Sequence, residues 1–399
     1  MRKSALFLCS LALWAWISSS NQAWLTSSRE NAQINKDTTN KSLAEIYKTG
    51  KIKFVPELII SDENFGGKDF FGYPNDVAVD VKNDIYVCDN REHNIKKFSV
   101  SGEYIKTFGK LGQGPGDLNT PMEIECFDGR LYVRDLMNKR MSIFDSQGAF
   151  IRSLKLPPDN IIWHSIRILP DGRFIAHLEK RFYVSPTPPT EITLVIFSQD
   201  FSSSKSLFER NISNGHYILN PRRVFVPNPF GPDLSWDLSP ERKIVIGYSE
   251  KYEILILDPN NDKTDSFAHK YVPVAVGEKD KDAFFREMRF LSGSSSGGAT
   301  TQVQGAPEYI VKNTEFPKTY PPFRNIKVDS EGNIWVRPYK TNDVSYDIFS
   351  KEGKFINQIR LVGETKYPWL TTRTSRGFWI ISEKEDLYIL TKVRIESAK

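Results

Sequence analysis

The 399-residue sequence predicts an all-β repeat array closed into a ring, a six-bladed β-propeller. Three observations point there. The stretch from Pro74 to Leu156 is one pattern written twice. Ile85-Tyr86-Val87 returns as Leu131-Tyr132-Val133, an offset of 131 − 85 = 46, and Phe98, Gly102 and Ile105 return as Phe144, Gly148 and Ile151 at the same offset. A period of about 40–50 residues marks propeller blades and related arrays. Each copy reads as four short strands joined by Gly, Asn or Asp turns, with apolar residues on both faces, which suits sheets stacked face to face. The two ends are also complementary. The last copy has only three strands, and a lone strand, Phe54–Ile60, precedes the first copy. Pairing them closes the ring and removes two exposed strand edges.

Taken in order, the chain opens with Arg2 and Lys3, an apolar run from Ala5 to Ile17, and a small polar stretch ending at Ala23. This is the layout of a secretory signal peptide, and the run is too short to span a bilayer comfortably. The sequence therefore predicts a signal peptide over 1–23, an exported chain in the periplasm or outside the cell, and membrane contact only through an uncleaved anchor. Residues 24–50 are polar and read as a disordered lead-in. The propeller is assigned to 51–399. Its first two blades are the founding repeats. A third starts at Ile166, a fourth at Trp236, a fifth at Phe323, where Val328 to Val336 restates the founding motif, and a sixth at Trp369. An insertion over 271–322, between blades four and five, contains Phe284, Met288 and Leu291 at helical spacing within Lys279–Leu291, followed by a Ser/Gly run from Ser292.

The founding motif resembles NHL repeats, and the chain as a whole is similar to secreted bacterial six-bladed propellers that carry them. The likeness is specific over Pro74–Leu156 and looser over Phe323–Leu361. It implies the fold. It does not choose an activity, because propellers host lyases, lactonases, receptors and scaffolds alike.

Loop lengths say where function would sit. Turns between first and second strands are tight, as at Val81–Asp84 and Asp128-Gly129, and so are most turns between third and fourth strands. The other two classes are longer, as at Gly109–Thr120, Arg210–Leu234 and Tyr271–Pro322. In an antiparallel meander these longer loops emerge at one end, where a rigid scaffold normally carries binding or chemistry. First-strand entrances and second-strand exits there nominate Asp76, Asp89, Asn90, Glu123, Arg134, Asp135, Arg167, Trp236, Arg324 and Arg337. Such a polar, arginine-bearing ring could grip an anionic or sugar-like ligand, or could satisfy itself by internal ion pairs.

Signals for catalysis are sparse. The five histidines are scattered without HxH or HxxxH spacing, and no nucleophile elbow, P-loop or dinucleotide fingerprint is present. No metal site is assigned and no cofactor is expected, although Asp76, Asn90 and Glu123 are residue types that could hold Ca²⁺. The net charge of +5 gives no electrostatic footprint for nucleic acid. The sequence thus predicts a monomeric binding propeller for a glycan, peptide or protein ligand. The alternative is a metal-dependent hydrolase or lyase with its site at the channel mouth.

Overall fold

The computed structural model describes residues 41–157, 161–181, 190–212, 215–218, 224–227, 229–261, 263–287, 289–292, 301–304, 308–341, 343–363, 369–374, 377–385 and 387–398. The expected signal peptide, the lead-in up to residue 40 and most of the Ser/Gly run lie outside these residues. The chain divides into two compact units, 1–45 and 46–399. The first is described only over 41–45, the opening of a short helix, Leu43–Tyr47. Among the described residues no helix is long and apolar enough to cross a membrane.

Residues 46–399 are all-β with a propeller-like arrangement. Four antiparallel four-stranded sheets follow one another. The first comprises Pro74–Val79, Ile85–Asp89, Asn94–Phe98 and Tyr104–Phe108. The second comprises Pro121–Phe127, Arg130–Asp135, Arg140–Asp145 and Phe150–Lys155. The third comprises Ile161–Ile168, Phe174–Arg181, Thr190–Phe197 and Ser204–Ile212. The fourth comprises Leu234–Leu238, Ile244–Tyr248, Glu253–Leu257 and Thr264–Ala268. A fifth, eight-stranded sheet joins the meander Phe323–Leu361 to the strands Trp369–Thr374, Gly377–Lys384 and Leu387–Ser397.

The link within that sheet is the strand Lys51–Ile60. It runs antiparallel to the last strand of the chain, from Ile52 opposite Ser397 to Ile60 opposite Leu390. It also touches the end of Phe355–Leu361 in parallel through two residue pairs, Lys51 with Arg360 and Ile52 with Leu361. The lone strand and the three-stranded final copy therefore complete one another, as the strand count predicts. Pro56, which has no N–H to give, sits at an irregularity in this pairing.

The core lies between sheets. Cys88, Ile95, Leu131, Val133 and Phe144 form one apolar cluster between the first and second sheets. Equivalent clusters join the second to the third, the third to the fourth, and the fourth to the fifth. Ile60, Trp379 and Leu390 pack against Val77, Val87 and Phe98, so the last strands return to the first sheet. Each buried Phe or Ile in these layers contributes on the order of 1.5–3 kcal/mol. Two of the three cysteines, Cys88 and Cys126, are in no disulfide and belong to the first of these clusters as small apolar groups.

The turns repeat as well. Asp80 accepts backbone N–H bonds from Lys82 and Asp84 at 2.8 and 2.9 Å, and its other oxygen takes the Tyr86 hydroxyl at 3.0 Å. Asp329 does the same for Glu331 and Asn333, both at 2.9 Å, with the Trp335 indole at 3.3 Å in place of the tyrosine. Gly148 has φ +80°, and a Cβ there would meet the Phe108 ring at 2.6 Å, so this turn docks on the outer strand of the preceding sheet only as glycine.

Two stretches differ from expectation. The end of the lead-in is ordered. Tyr47 is fully buried, packs edge-on against Trp335 at 5.3 Å and donates its hydroxyl to Asp329 at 2.7 Å. A polar composition hides one aromatic anchor, and the anchor decides. In the insertion the helix spans only Glu278–Glu287, after which Arg289–Ser292 pairs with Thr301–Gln304 as a hairpin, and a second helix covers Glu308–Asn313. The helix buries no residue completely. Phe284 and Phe285 instead join a ring cluster with Phe230 and Phe316. A further hairpin, Gly215–Ile218 with Val224–Pro227, occupies the long connection ahead of the fourth sheet.

Candidate functional site

A bulge recurs near the start of the leading strand. The register shifts between Pro74 and Asp76, Pro121 and Glu123, Trp163 and Ser165, and Phe323 and Asn325. The inserted residues are Asn75, Met122, His164 and Arg324. A bulge places two residues against one and re-aims side chains, and such bulges favour rims and sites. Here it marks the loop-bearing end of the first, second, third and fifth sheets, while the fourth pairs without a shift.

The residue after the bulge, and Ser235 at the equivalent register of the unbulged fourth sheet, tie neighbouring sheets together. Asp76 accepts the Ile124 N–H at 2.8 Å, Glu123 lies 3.4 Å from the Ile166 N–H, and Ser235 accepts the Ile326 N–H at 2.8 Å. Two residues further along, Glu125 and Asp237 repeat the device with Ile168 and Val328 at 2.7 and 3.0 Å. Most of the nominated ring is engaged in this way. Arg134 is buried and pairs with Glu123 at 2.5 Å, and also reaches the Trp163 carbonyl at 3.3 Å. Arg167 is buried beside Glu125 at 3.4 Å. Trp236 donates to the Ser165 hydroxyl at 3.2 Å across the third and fourth sheets.

Asp89 and Asp135 are fully buried at register-equivalent positions. Asp89 accepts from the backbone of Gly72, Tyr73 and Glu92 at 2.8, 2.9 and 3.1 Å. Asp135 takes Asn119 N–H at 2.7 Å, Asn138 at 2.8 Å and Arg140 at 2.9 Å. Both fasten the loop that enters the sheet. Asn90 is half-buried, donates its backbone N–H to the Tyr73 carbonyl at 3.1 Å, and approaches the Met122 sulfur at 3.5 Å. Arg324 and Arg337 come together in an open recess, with Thr341, Asp343 and Arg360, of about 410 Å³.

A second recess, about 480 Å³, lies between the third and fourth sheets at the same end. His164, His177, Glu179, Asp233, Tyr248 and Tyr339 contribute to its wall. The two imidazoles stack with centroids 4.6 Å apart, and His164 Nε2 meets Glu179 Oε2 at 2.8 Å. His177 is 7% exposed, and its Nε2 is buried without a hydrogen-bond partner among the described residues. Burial, then the neighbouring His164, lowers its pKa to about 3, against the opposing pull of Glu179. Burial raises the Asp233 carboxyl above the usual range. A third recess, about 280 Å³, is lined by Tyr252, His269, Tyr271, Tyr320 and Tyr339 beside the insertion.

Among the described residues no three His, Cys, Asp or Glu side chains converge to hold a metal ion. His93 is occupied otherwise, accepting the Thr120 N–H on Nδ1 at 2.9 Å.

Sequence reasoning missed His177, Glu179, Asp233 and Arg360. A signal for His177 was available. The second strands align Ile85, Leu131, Phe174, Ile244 and Ile334 opposite Phe98, Phe144, Phe197, Leu257 and Phe349. Three residues on, Cys88, Arg134, His177, Gly247 and Arg337 occupy one structural position, so His177 stands where two of the nominated arginines stand.

Residues 71–98 match the NHL repeat family. No curated protein matches the sequence. Among solved structures, a Bacteroides fragilis protein is similar at 12% identity, covering 90% of this chain and 98% of its own, with a TM-score of 0.51. A DUF4221 family member from Bacteroides vulgatus is 12% identical over 88% of this chain and 100% of its own, with a TM-score of 0.46. Regucalcin from Agrobacterium tumefaciens, a calcium-binding protein, is 10% identical over 82% and 92%, with a TM-score of 0.40. At these identities the likeness is one of fold alone.

Proposed function

We propose that this chain is an exported six-bladed β-propeller that binds a glycan, peptide or protein ligand at its loop-bearing end. The blade count takes the eight-stranded sheet as two blades. Phe323–Leu361 forms one meander, and Trp369–Ser397 with Lys51–Ile60 forms the other, the two sharing only a two-pair contact.

The observation that carries the binding reading is His177. The nearly buried imidazole, one nitrogen of which has no partner among the described residues, belongs to a residue lining a polar recess with Glu179 and Asp233. A buried polar atom without a partner costs about 1–3 kcal/mol, which a ligand hydrogen bond would recover. Tyr248 and Tyr339 supply amphipathic ring surface at the same place.

Glycan and peptide arrays probed with the wild-type chain, Asp233→Asn, Tyr339→Ala and Lys354→Glu test this reading. Lys354 lies at the tight-turn end. Signal lost with the first two substitutions and kept with the third supports it. Signal that survives both loop-end substitutions, or falls only with Lys354→Glu, overturns it.

A further inference from the structure

The recess of Arg324, Arg337 and Arg360 holds three guanidiniums against one carboxylate, Asp343. The carboxylate is engaged by Arg360 at 3.2 Å. Arg324 donates to the Tyr339 carbonyl and lies over the Tyr339 ring at 5.0 Å, neither of which neutralises it. Arg337 has no hydrogen bond or ion pair among the described residues. Partial desolvation of the Arg324 guanidinium and the nearby charge of Arg337 push the Arg324 pKa down. The fold thus sets two like charges near one another at the loop-bearing end.

The second sheet shows how the same geometry is neutralised. Arg134 and Arg337 occupy one structural position, three residues into the second-strand pairing. The cross-strand partner of Arg134 is Glu123, and the two form an ion pair at 2.5 Å. The cross-strand partner of Arg337 is Asn325, immediately after the same bulge. Sheet two carries a carboxylate where sheet five carries a neutral amide. Arginine forks are matched to planar or tetrahedral oxyanions and bind them bidentately.

We propose that this recess is an oxyanion site, taking a carboxylate, sulfate or phosphate group of the ligand in the role that Glu123 plays for Arg134. It rests on the binding reading above and narrows it to anionic ligands, with the anion held by Arg337 and Arg324 and the ligand body extending toward Tyr339, which lies against Arg324 and lines the other two recesses.

The test is direct titration of the full chain by calorimetry, with sulfate, phosphate, glucuronate and, as a neutral control, glucose. Saturable binding of at least one anion, with none of glucose, is expected. The preference among the three separates a carboxylate site from a tetrahedral one. Arg337→Gln should weaken binding roughly 10-fold or more, the loss of one charge-assisted bond. Asn325→Glu should abolish it by supplying the missing carboxylate internally, while leaving the thermal transition at or above the wild-type value, so that loss of binding is not loss of fold. Absence of saturable anion binding by the wild type overturns the proposal, as does an Asn325→Glu chain that binds as tightly as the wild type. Neither result touches the array experiment, whose neutral glycans and peptides report on the general binding reading separately.

Discussion

Acid should destabilise this protein through His177, and the size of the effect follows from its surroundings. Its pKa falls from an ordinary 6.5 to about 3, burial being the first cause and His164 the second. The sign is fixed by which state holds more protons. Below pH 6.5 the unfolded chain protonates this imidazole and the folded chain does not, so stability is complete above 6.5 and declines as pH falls toward 3. At about pH 5 the unfolded pKa lies about 1.5 units above ambient, and at roughly 1.4 kcal/mol per unit the loss is about 2 kcal/mol. The charged groups acting on the ring are His164 and Glu179, and Asp233 shares the recess wall with them. Asp233, whose pKa is raised by burial, works in the opposite sense, because its folded form takes up a proton before the unfolded form does. A comparison of variants therefore isolates the histidine. Urea unfolding of the wild type and His177→Leu at about pH 7.5 and about pH 5 should show the wild type losing about 2 kcal/mol more than the variant. At the higher pH the leucine variant should be near neutral in stability, since it replaces an unpartnered polar atom by an apolar group. Equal losses in both chains would refute the assignment of a neutral, buried His177.

Other outcomes follow from particular contacts. Tyr47→Phe removes the 2.7 Å bond to Asp329, a carboxyl whose pKa burial already raises, and should cost about 1–3 kcal/mol in urea unfolding. Asp89→Ala leaves the Gly72, Tyr73 and Glu92 N–H groups without their acceptor, and should lower stability by at least about 2 kcal/mol and open the loop before Pro74 to limited proteolysis. Arg134→Met strands Glu123 in a buried position and should cost roughly 3–5 kcal/mol by thermal or chemical denaturation, whereas the same change at Arg337 should cost little. A chain lacking Lys51–Ile60 should expose the edge of Leu387–Ser397 and elute from size exclusion as aggregate.

The architecture was legible because strand period and turn chemistry are local properties. Ile85 to Val87 and Leu131 to Val133 announce the same strand, and Asp80 and Asp329 hold the same turn. Pro74 and Pro121 are 121 − 74 = 47 residues apart while Ile85 and Leu131 are 131 − 85 = 46 apart, and the first turn accounts for the difference. The pair equivalent in register is Val79 with Ile85 in the first sheet and Cys126 with Leu131 in the second, one residue shorter, and the second turn closes tighter still at Phe127 with Arg130. Tyr47 was illegible because its partners are remote in sequence, Asp329 lying 282 residues away and Trp335 beyond it. The hairpin over Gly215–Pro227 and the end of the insertion helix at Glu287 fall where long connections give no repeat to compare against.

The site was only half legible, and the bulge explains which half. Counting strand entrances without it selects Asp76 and Glu123, one residue past the inserted positions Asn75 and Met122, and in a pleated strand one residue changes the face. Those carboxylates consequently meet the next sheet's backbone rather than open space. In the third sheet Arg167 lies three residues past the inserted His164. The second strands carry no such bulge, so the choice of Arg134 and Arg337 was in register, and the same count would have reached His177. What separates those three positions is the residue across the strand. Glu123 faces Arg134 and closes that position with a counter-charge, Ser165 faces His177, and Asn325 faces Arg337. The neutral partners leave the imidazole and the guanidinium with capacity that the engaged positions lack. A repeat fold imposes the same geometry on every sheet, so in this chain the departures from the repeat's own charge pairing, rather than the repeat itself, indicate where a ligand would be held.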